Sequence, residues 1–404
     1  MTLPLSEGTD RPGQELGRLL LNTGAMSPDW APAFAAVPRS RFVPDLAWAW
    51  NEEQGRSVAV DRANDPDGWL AAVHTDIPLV TQWDDGHHTG PEPGRLSTSS
   101  TSQPSLVMSM LRDLDVRPGL KVLEAGAGTG WNVGLLAQRL GSRQVVSIEV
   151  DPAIAAQARA NLATVGLSPH IVTGDGESGW PAGAPYDRVI ATYGLRRIPG
   201  SWLQQTRPGG IILAPWGTHY SQRDAVVRLT VAEDHHSASG RFTQLVGFMK
   251  ARDQRTPYPE HATHVPEFPG NADTTHRTTR TAADLGDSWD VQSFAIGLAV
   301  SDITHVLAQD DAGRSTTAWF YSLTDSSWAA VTWPTDGPPT ASTVYQAGPR
   351  RLWQAVERTL DWWDEHDRPA IHRFGLTVSD GHHTPWLDTP DHPVPRHGHV
   401  DEQP

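Results

Sequence analysis

Apolar positions recur with two alternating periods between residues 103 and 214, and these periods predict the fold. Short apolar runs, typical of strands buried on both faces of a sheet, occupy residues 121–125, 145–149, 170–173, 188–192 and 211–214. The segments between them, such as 131–140, carry apolar residues at helical spacing. Strands that alternate with helices in this way predict an α/β fold with a doubly wound, mostly parallel sheet.

The flanking sequence is less regular and predicts a second, smaller region. Residues 84–96 are rich in Gly, Pro, His and Asp and predict a loop, and the composition shifts again near residue 252. After a stretch rich in Thr, His and Pro, a strand-like run at 328–333 and a helical apolar stripe at 352–363 predict an α+β extension. We therefore expect a principal domain at 1–252, a linker at 253–287, the extension at 288–390 and a disordered tail at 391–404.

A glycine motif follows the first predicted strand of the sheet. Glu124-Ala-Gly-Ala-Gly-Thr-Gly130 has the spacing GxGxG rather than the GxGxxG of dinucleotide folds, which weakens a hydride-transfer interpretation. The next strand ends in Glu149, whose carboxylate can accept both hydroxyls of a ribose, and the third strand is followed by Asp175. This pattern suits S-adenosylmethionine, although some nucleotide binders share it. Read separately, Glu149 is also compatible with a charge at a helix N-terminus, and Asp175 with a plain turn.

Hydroxyl side chains occupy residues 97–102, directly before a predicted helix. One of them can cap that helix, or several hydroxyls with the amide of Gln103 can hold a substrate carboxylate. The chain has no cysteine, so thiol nucleophiles and cysteine metal sites are excluded, and its three His-His pairs lack the spacing of a zinc enzyme. We expect no metal.

The composition of the chain bounds its partners. The 404 residues carry a formal charge of −15, which argues against a large nucleic-acid footprint. No stretch approaches the length of a membrane span, and the N-terminus has no signal-like apolar region. We expect a soluble, cytoplasmic protein that binds neither nucleic acid nor membrane.

The chain resembles the protein-L-isoaspartate O-methyltransferases over roughly residues 15–252. The segments that carry the resemblance are 37–44, 99–106, 122–132, 174–176 and 184–211. The resemblance implies a class I S-adenosylmethionine-dependent methyltransferase fold, with Thr101, Ser102 and Gln103 lining the substrate carboxylate. It also implies that Gly126, Gly128, Glu149 and Asp175 hold S-adenosylmethionine. The motifs themselves add four candidates for cofactor binding, which are Glu124, Gly130, Asn132 and Gly176.

The chain departs from the repair enzymes of that family in three features. They are an extra loop at about 82–97, an extension of about 150 residues, and Trp131-Asn132 where Tyr-Asn is usual. The chain is therefore more similar to the branch that accompanies ribosomal peptide natural products and ATP-grasp peptide cyclases. Residues 374–378 and 386–388 also resemble that branch.

The branch resemblance implies that the enzyme methylates an aspartate side chain in a macrocyclic precursor peptide. The ester then collapses to an aspartimide, and an ATP-grasp cyclase is a candidate partner. Two alternatives stay open. One is general isoaspartyl repair, and the other is a non-catalytic peptide-binding partner of a cyclase. A dedicated recognition domain in the extension argues against repair, and the intact cofactor motifs argue against a non-catalytic binder.

Overall fold

The chain divides into two units. The predicted cofactor site lies in the first unit, at the carboxyl ends of its parallel strands. The computed structural model describes residues 11–220, 223–310, 312–335 and 342–397. The first unit comprises the described residues of Met1–Tyr193, Pro199–Leu213 and Thr230–His236. The second comprises the described residues of Gly194–Ile198, Ala214–Leu229 and Ser237–Pro404.

The first unit contains a small antiparallel sheet that the sequence did not predict as a sheet. Its strands are β1 (Leu46–Asn51), β2 (Arg56–Asp61), β3 (Leu79–Trp83) and β4 (Ser97–Thr101), in the order β2-β1-β3-β4. Strand β4 forms from the hydroxyl run, for which the sequence predicted a helix cap or a carboxylate-binding segment but no strand. It pairs antiparallel with β3, and together they form a hairpin that encloses residues 84–96.

The parallel sheet of the first unit agrees closely with the predicted periodicity. Its strands are β5 (Val122–Ala125), β6 (Val145–Glu149), β7 (His170–Thr173), β8 (Tyr186–Ala191) and β9 (Thr206–Trp216), in the order β9-β8-β5-β6-β7. Strands β5 and β6, in the middle of the sheet, are wholly buried, as expected for a sheet covered on both faces. Because all five strands run parallel, the loops after them meet at one edge.

Helices connect the strands of the first unit. They are α1 (Arg11–Asn22), α2 (Ala31–Ala36), α3 (Pro66–Val73), α4 (Pro104–Leu114), α5 (Trp131–Leu140), α6 (Pro152–Thr164) and α7 (Gly200–Gln205). Helix α6 begins at Pro152 because Asp151 precedes it as an N-cap. The Asp151 carboxylate accepts hydrogen bonds from the backbone N–H groups of Ala153 and Ile154.

The second unit contains two groups of strands and three helices. One group is β10 (Asp224–Val231), β11 (Ser237–Val246), β17 (Phe374–Ser379) and β18 (His382–Leu387), in the order β18-β17-β11-β10. The other is β12 (Thr274–Arg277), β13 (Ile303–Gln309), β14 (Ser315–Ser322), β15 (Trp328–Pro334) and β16 (Thr343–Ala347), in the order β12-β16-β15-β14-β13. The helices are α8 (His261–His264), α9 (Val291–Ala299) and α10 (Leu352–Glu365), and the apolar stripe of α10 is buried.

The observed units differ from the predicted segment boundaries. The expected boundary at residue 252 falls inside the second unit, since β11 before it pairs with β17 after it. The expected linker at 253–287 contains β12, which pairs with β16, and Leu285 within it is buried. Of the expected disordered tail, residues 391–397 are described and Val394 is buried, whereas 398–404 lie outside the described residues. The sequence could not predict these boundaries, because pairing between strands that are distant in the chain leaves no local periodicity.

Two further observations concern the described residues alone. None of their helices is long and apolar enough to cross a membrane. Their His, Asp and Glu side chains form no group of three or more that could hold a metal ion.

Candidate active site

The glycine loop between β5 and α5 presents bare backbone at the carboxyl edge of the parallel sheet. Gly126, Gly128 and Gly130 all have positive φ angles, of 97°, 52° and 94°. A Cβ on Gly126 would lie 2.8 Å from the Tyr193 ring, so no larger residue fits there. A Cβ on Gly128 would meet only the Ser100 carbonyl oxygen, at 3.7 Å. The middle of the loop therefore leaves room for a ligand to approach the backbone.

Glu149 lies beside this loop at the end of β6. Its carboxylate accepts hydrogen bonds from the Gly128 N–H, at 2.9 Å, and from the Asp151 N–H, at 3.1 Å. The residue is 8% exposed. Two backbone donors on opposite sides of the carboxylate thus fix its orientation, in the position the sequence assigned to a ribose-binding acid.

Asp175 and Gly176 follow β7 at the same edge. Asp175 is exposed, and its carboxylate accepts a hydrogen bond from the Glu177 N–H at 2.9 Å. Gly176 is buried, and a Cβ there would lie 2.5 Å from the Tyr193 hydroxyl oxygen. The carbonyl of Gly176 accepts a hydrogen bond from the Trp202 indole at 2.8 Å. The structure therefore places an exposed carboxylate beside tightly supported backbone.

Tyr193 is a site residue that the sequence analysis missed. Its ring lies against Gly126 and its hydroxyl lies against Gly176, so one side chain separates and supports the two ligand-facing loops. Tyr193 follows β8 by two residues. The rule that ligands sit at the carboxyl ends of parallel strands could have identified it.

Glu124 lies below the glycine loop rather than at its surface. It is 0% exposed, and its carboxylate accepts hydrogen bonds from the Asn132 amide, at 2.6 Å, and from the Ser147 hydroxyl. Burial raises the pKa of Glu124 to about 7, and the nearby Glu149 carboxylate acts in the same direction. Glu124 therefore supports Asn132 and the two central strands, and has no surface with which to contact a ligand.

The three residues predicted to hold a substrate carboxylate differ in their surroundings. Thr101 is 2% exposed, and its hydroxyl lies 3.2 Å from the Thr129 hydroxyl in the glycine loop. The Gln103 amide donates a hydrogen bond to Asp76 at 3.2 Å. Ser102 and Gln103 are partly exposed. Thr101 thus ties β4 to the glycine loop, whereas Ser102 and Gln103 keep part of their surface exposed.

Arg39 holds this segment in place, and the sequence analysis did not identify it. The side chain is 2% exposed, and its guanidinium donates hydrogen bonds to the carbonyl oxygens of Thr101 and Ser102, both at 3.1 Å. It also donates to the carbonyls that precede β3, which are those of Val73, Thr75 and Ile77 at 2.9, 3.3 and 2.8 Å. Burial lowers the pKa of Arg39 to about 9, although the nearby Asp76 opposes this effect. The sequence feature that could have identified Arg39 is its place in the segment 37–44, a connector with a proline near each end that carries part of the family resemblance.

The chain is similar to known methyltransferases over part of its length. Residues 59–251 match the family model "Protein-L-isoaspartate(D-aspartate) O-methyltransferase (PCMT)". The protein-L-isoaspartate O-methyltransferase of Pyrococcus horikoshii is 39% identical over 120 residues, which are 30% of this chain and 54% of that relative. The Thermotoga maritima protein of the same name is 34% identical over 156 residues, 38% of this chain and 46% of the relative. The chain thus spans about half the length of these curated relatives.

One solved structure supports the fold. A chain named protein-L-isoaspartate O-methyltransferase aligns with a TM-score of 0.51 and 20% sequence identity, over 93% of this chain and 100% of that chain. At this level of identity the likeness shows the fold alone, which is that of the class I methyltransferases.

Replacing Arg39 tests its role as the support of the site. In Arg39→Met, five buried or part-buried carbonyl oxygens lose a charged donor, and we expect the free energy of unfolding to fall by about 3 kcal/mol. The free energy of unfolding of Arg39→Lys should lie between those of Arg39→Met and the wild type, because one ammonium cannot reach both groups of carbonyls. Urea denaturation measures both, with Arg41→Lys, an exposed change in the same connector, as the control. Equal effects at positions 39 and 41 would contradict the assignment.

The raised pKa of Glu124 predicts a pH-dependent difference in stability. Because its pKa rises from 4.5 to about 7 on folding, the contribution of Glu124 to stability is complete below pH 4.5. That contribution is lost progressively as the pH rises to about 7. Relative to Glu124→Gln, the wild type should therefore lose about 3 kcal/mol of unfolding free energy across this range, and no more above it.

Urea denaturation of both proteins at several pH values measures this difference. The exposed Glu15→Gln change is the control and is expected to follow the wild type. A difference between the wild type and Glu124→Gln that stays constant from pH 4.5 to 7 would show that Glu124 ionises normally.

Proposed function

Because residues 59–251 match the protein-L-isoaspartate O-methyltransferase family model, we propose that this protein methylates an aspartate-type carboxylate of a peptide, with S-adenosylmethionine as the methyl donor. The observation that carries the proposal is the arrangement at the carboxyl edge of the parallel sheet. An open glycine loop, the oriented carboxylate of Glu149 and the exposed carboxylate of Asp175 follow three neighbouring strands.

The residues present fit this cofactor by the chemistry of their groups. Glu149 offers a carboxylate for ribose hydroxyls, and Asp175 offers one for an adenine amino group. The positive φ of Gly128 and the open space above it allow the methionine part to lie against the backbone. S-adenosylmethionine supplies an electrophilic methyl group at its sulfonium.

The protein's part in the reaction is to position a carboxylate and exclude water. A peptide carboxylate is ionised at neutral pH, so one of its oxygens can attack the methyl carbon without a general base. As the new oxygen–carbon bond forms, the carbon–sulfur bond breaks and S-adenosylhomocysteine leaves. The Ser102 hydroxyl and the Gln103 amide would hold the other carboxylate oxygen, and Arg39 keeps this segment in place through the Ser102 carbonyl.

We further propose that the substrate is a macrocyclic, ribosomally made peptide and that an ATP-grasp cyclase is a partner. The support for this finer assignment is sequence resemblance, in particular Trp131-Asn132, the insert at 84–96 and residues 374–378. Methylation makes the aspartyl carbonyl a better electrophile. The backbone nitrogen of the next residue then attacks it, methanol leaves, and an aspartimide forms.

General isoaspartyl repair is the second candidate, and the comparisons favour it. The curated relatives bear the name of that activity. The alignment to the solved isoaspartate methyltransferase spans 93% of this chain and so continues beyond residue 252. The extension after residue 252 is therefore a weaker argument against repair than its sequence indicated.

Variants at the two carboxylates test cofactor binding. Asp175→Ala and Glu149→Ala each remove an acceptor of charged hydrogen bonds, and we expect each to weaken S-adenosylhomocysteine binding by roughly 10-fold or more in calorimetry. Ser102→Ala should keep that affinity within about twofold and lower turnover, since it touches only the substrate carboxylate. The exposed Glu53→Ala serves as the control. Undiminished affinity in both acid variants would refute the cofactor site.

A competition between two substrates separates the tailoring and repair functions. The full-length enzyme and S-adenosylmethionine are incubated with a cyclised precursor peptide, its linear form and a short isoaspartyl peptide, and products are followed by mass spectrometry. Tailoring predicts a gain of about 14 Da that decays to a net loss of about 18 Da on the cyclised peptide alone. Methylation of the isoaspartyl peptide alone would identify repair, and S-adenosylhomocysteine binding without any methylation would indicate a binding partner.

A further inference from the structure

The insert between β3 and β4 (residues 84–96), which its composition predicted as a loop, is held by hydrogen bonds at both of its ends. The Asp84 carboxylate accepts hydrogen bonds from the backbone N–H groups of Arg95, at 3.1 Å, and Leu96, at 2.8 Å. The Asp84 N–H in turn donates to the Leu96 carbonyl at 2.7 Å. The Trp48 indole donates to the carbonyl of Pro91 at 2.8 Å. These hydrogen bonds tie the two ends of the insert to each other and its middle to β1.

Gln82 joins this hairpin to helix α6 through both ends of its side-chain amide. Its carbonyl oxygen accepts a hydrogen bond from the Thr98 hydroxyl at 2.9 Å, and the Thr98 oxygen accepts one from the Asp85 N–H at 3.1 Å. Its NH2 group donates to the Asp151 carboxylate at 3.1 Å. A glutamine whose oxygen is bound on one side and whose nitrogen is bound on the other has its orientation fixed by both partners.

Asp151 connects Gln82 to Glu149, the acid that we assign to the cofactor ribose. One of its oxygens caps α6, while the other accepts the bond from Gln82. Its backbone N–H donates to Glu149, which also accepts from the Gly128 N–H. A continuous series of hydrogen bonds therefore runs from the insert, through Gln82 and Asp151, to the carboxylate of Glu149 and the glycine loop.

The same hairpin contacts the glycine loop at a second point. The Thr101 hydroxyl on β4 lies 3.2 Å from the Thr129 hydroxyl. The Ser100 carbonyl faces the open position above Gly128. The hairpin is thus anchored at two points near the glycine loop that we assign to cofactor binding. Thr101 contacts the loop itself, and Gln82 contacts Asp151.

We propose that Gln82 is a positioning residue that slows release of the cofactor by tying the β3–β4 hairpin to Asp151 and so fixing Glu149. The inference rests on the proposed function, because the ligand it concerns is S-adenosylmethionine. Gln82 lies in the hairpin rather than in the strand-end motifs, and it acts through Asp151 without being one of the acids that bind the ribose or the adenine.

The test measures release of the cofactor from the full-length protein. Gln82→Leu should speed dissociation of tritiated S-adenosylmethionine, chased with excess S-adenosylhomocysteine, by about tenfold, because a hydrogen bond to a charged group is lost. The KM for S-adenosylmethionine should rise by a similar factor, while kcat at saturation stays within about twofold. Gln54→Leu, the same change at an exposed position of the β1–β2 turn, is the matched control and should behave as wild type.

A second pair of variants separates positioning from simple packing. Gln82→Glu places a carboxylate opposite Asp151, so its dissociation rate should exceed that of Gln82→Leu at low salt and approach it at high salt. Thr98→Val removes the other partner of Gln82 and should give a smaller increase. A packing role alone would make the Leu and Glu variants equal at every salt concentration and would overturn the proposal.

The inference and the proposed function fail in different ways. If the wild type binds and uses S-adenosylmethionine but Gln82→Leu releases it at the wild-type rate, the role of Gln82 is refuted and the function stands. If the wild type binds no S-adenosylmethionine, both are overturned together.

Discussion

The site depends on one buried cation that bonds to backbone instead of to an acid. Arg39 joins the carbonyls of residues 73–77 to those of Thr101 and Ser102, and thereby fixes where β4 ends and where the substrate-facing segment begins. Burying a guanidinium is costly unless its donors are satisfied. Here five carbonyl oxygens accept hydrogen bonds from the two terminal NH2 groups, whereas the buried Nε has no hydrogen-bond partner. The guanidinium therefore makes its hydrogen bonds to peptide groups. Burial lowers its pKa, whereas the nearby Asp76 carboxylate, which accepts a hydrogen bond from the Gln103 amide, raises it.

The remaining polar groups of the site form a series from buried supports to exposed contacts. Glu124 lies wholly inside and holds Asn132, Glu149 is nearly buried at the end of β6 between two backbone donors, and Asp175 is exposed. Burial decides these different roles for similar carboxylates. It raises the pKa of Glu124 to about 7, so its neutral form is the one that the sheet interior favours, whereas a carboxylate that binds hydroxyls must stay ionised and reachable.

The part of the site that could be predicted from the sequence is the part that depends on local order. The glycine loop, Glu149 and Asp175 each follow a strand that its own apolar period reveals, and parallel order brings them together. Arg39 and Gln82 could not be predicted in this way. Arg39 acts on residues 34 to 63 positions away, and Gln82 on Asp151, 69 positions away. The same reasoning explains the misplaced boundary at residue 252, because the pairing of β11 with β17 spans more than a hundred residues.

The carboxyl methylation that we propose would account for this distribution of polar groups. An ionised carboxylate needs no base to become a nucleophile, so a catalytic histidine would add little, and what limits the rate is the alignment of oxygen, methyl carbon and sulfur. Alignment is improved by rigid supports rather than by titrating groups. The described contacts around the glycine loop are of that kind: Thr101 against Thr129, Tyr193 against two glycines, and Gln82 against Asp151. A protein built for proton transfer would instead need an exposed group with a pKa near neutrality. Glu124, whose pKa burial raises to about 7, is enclosed within the sheet.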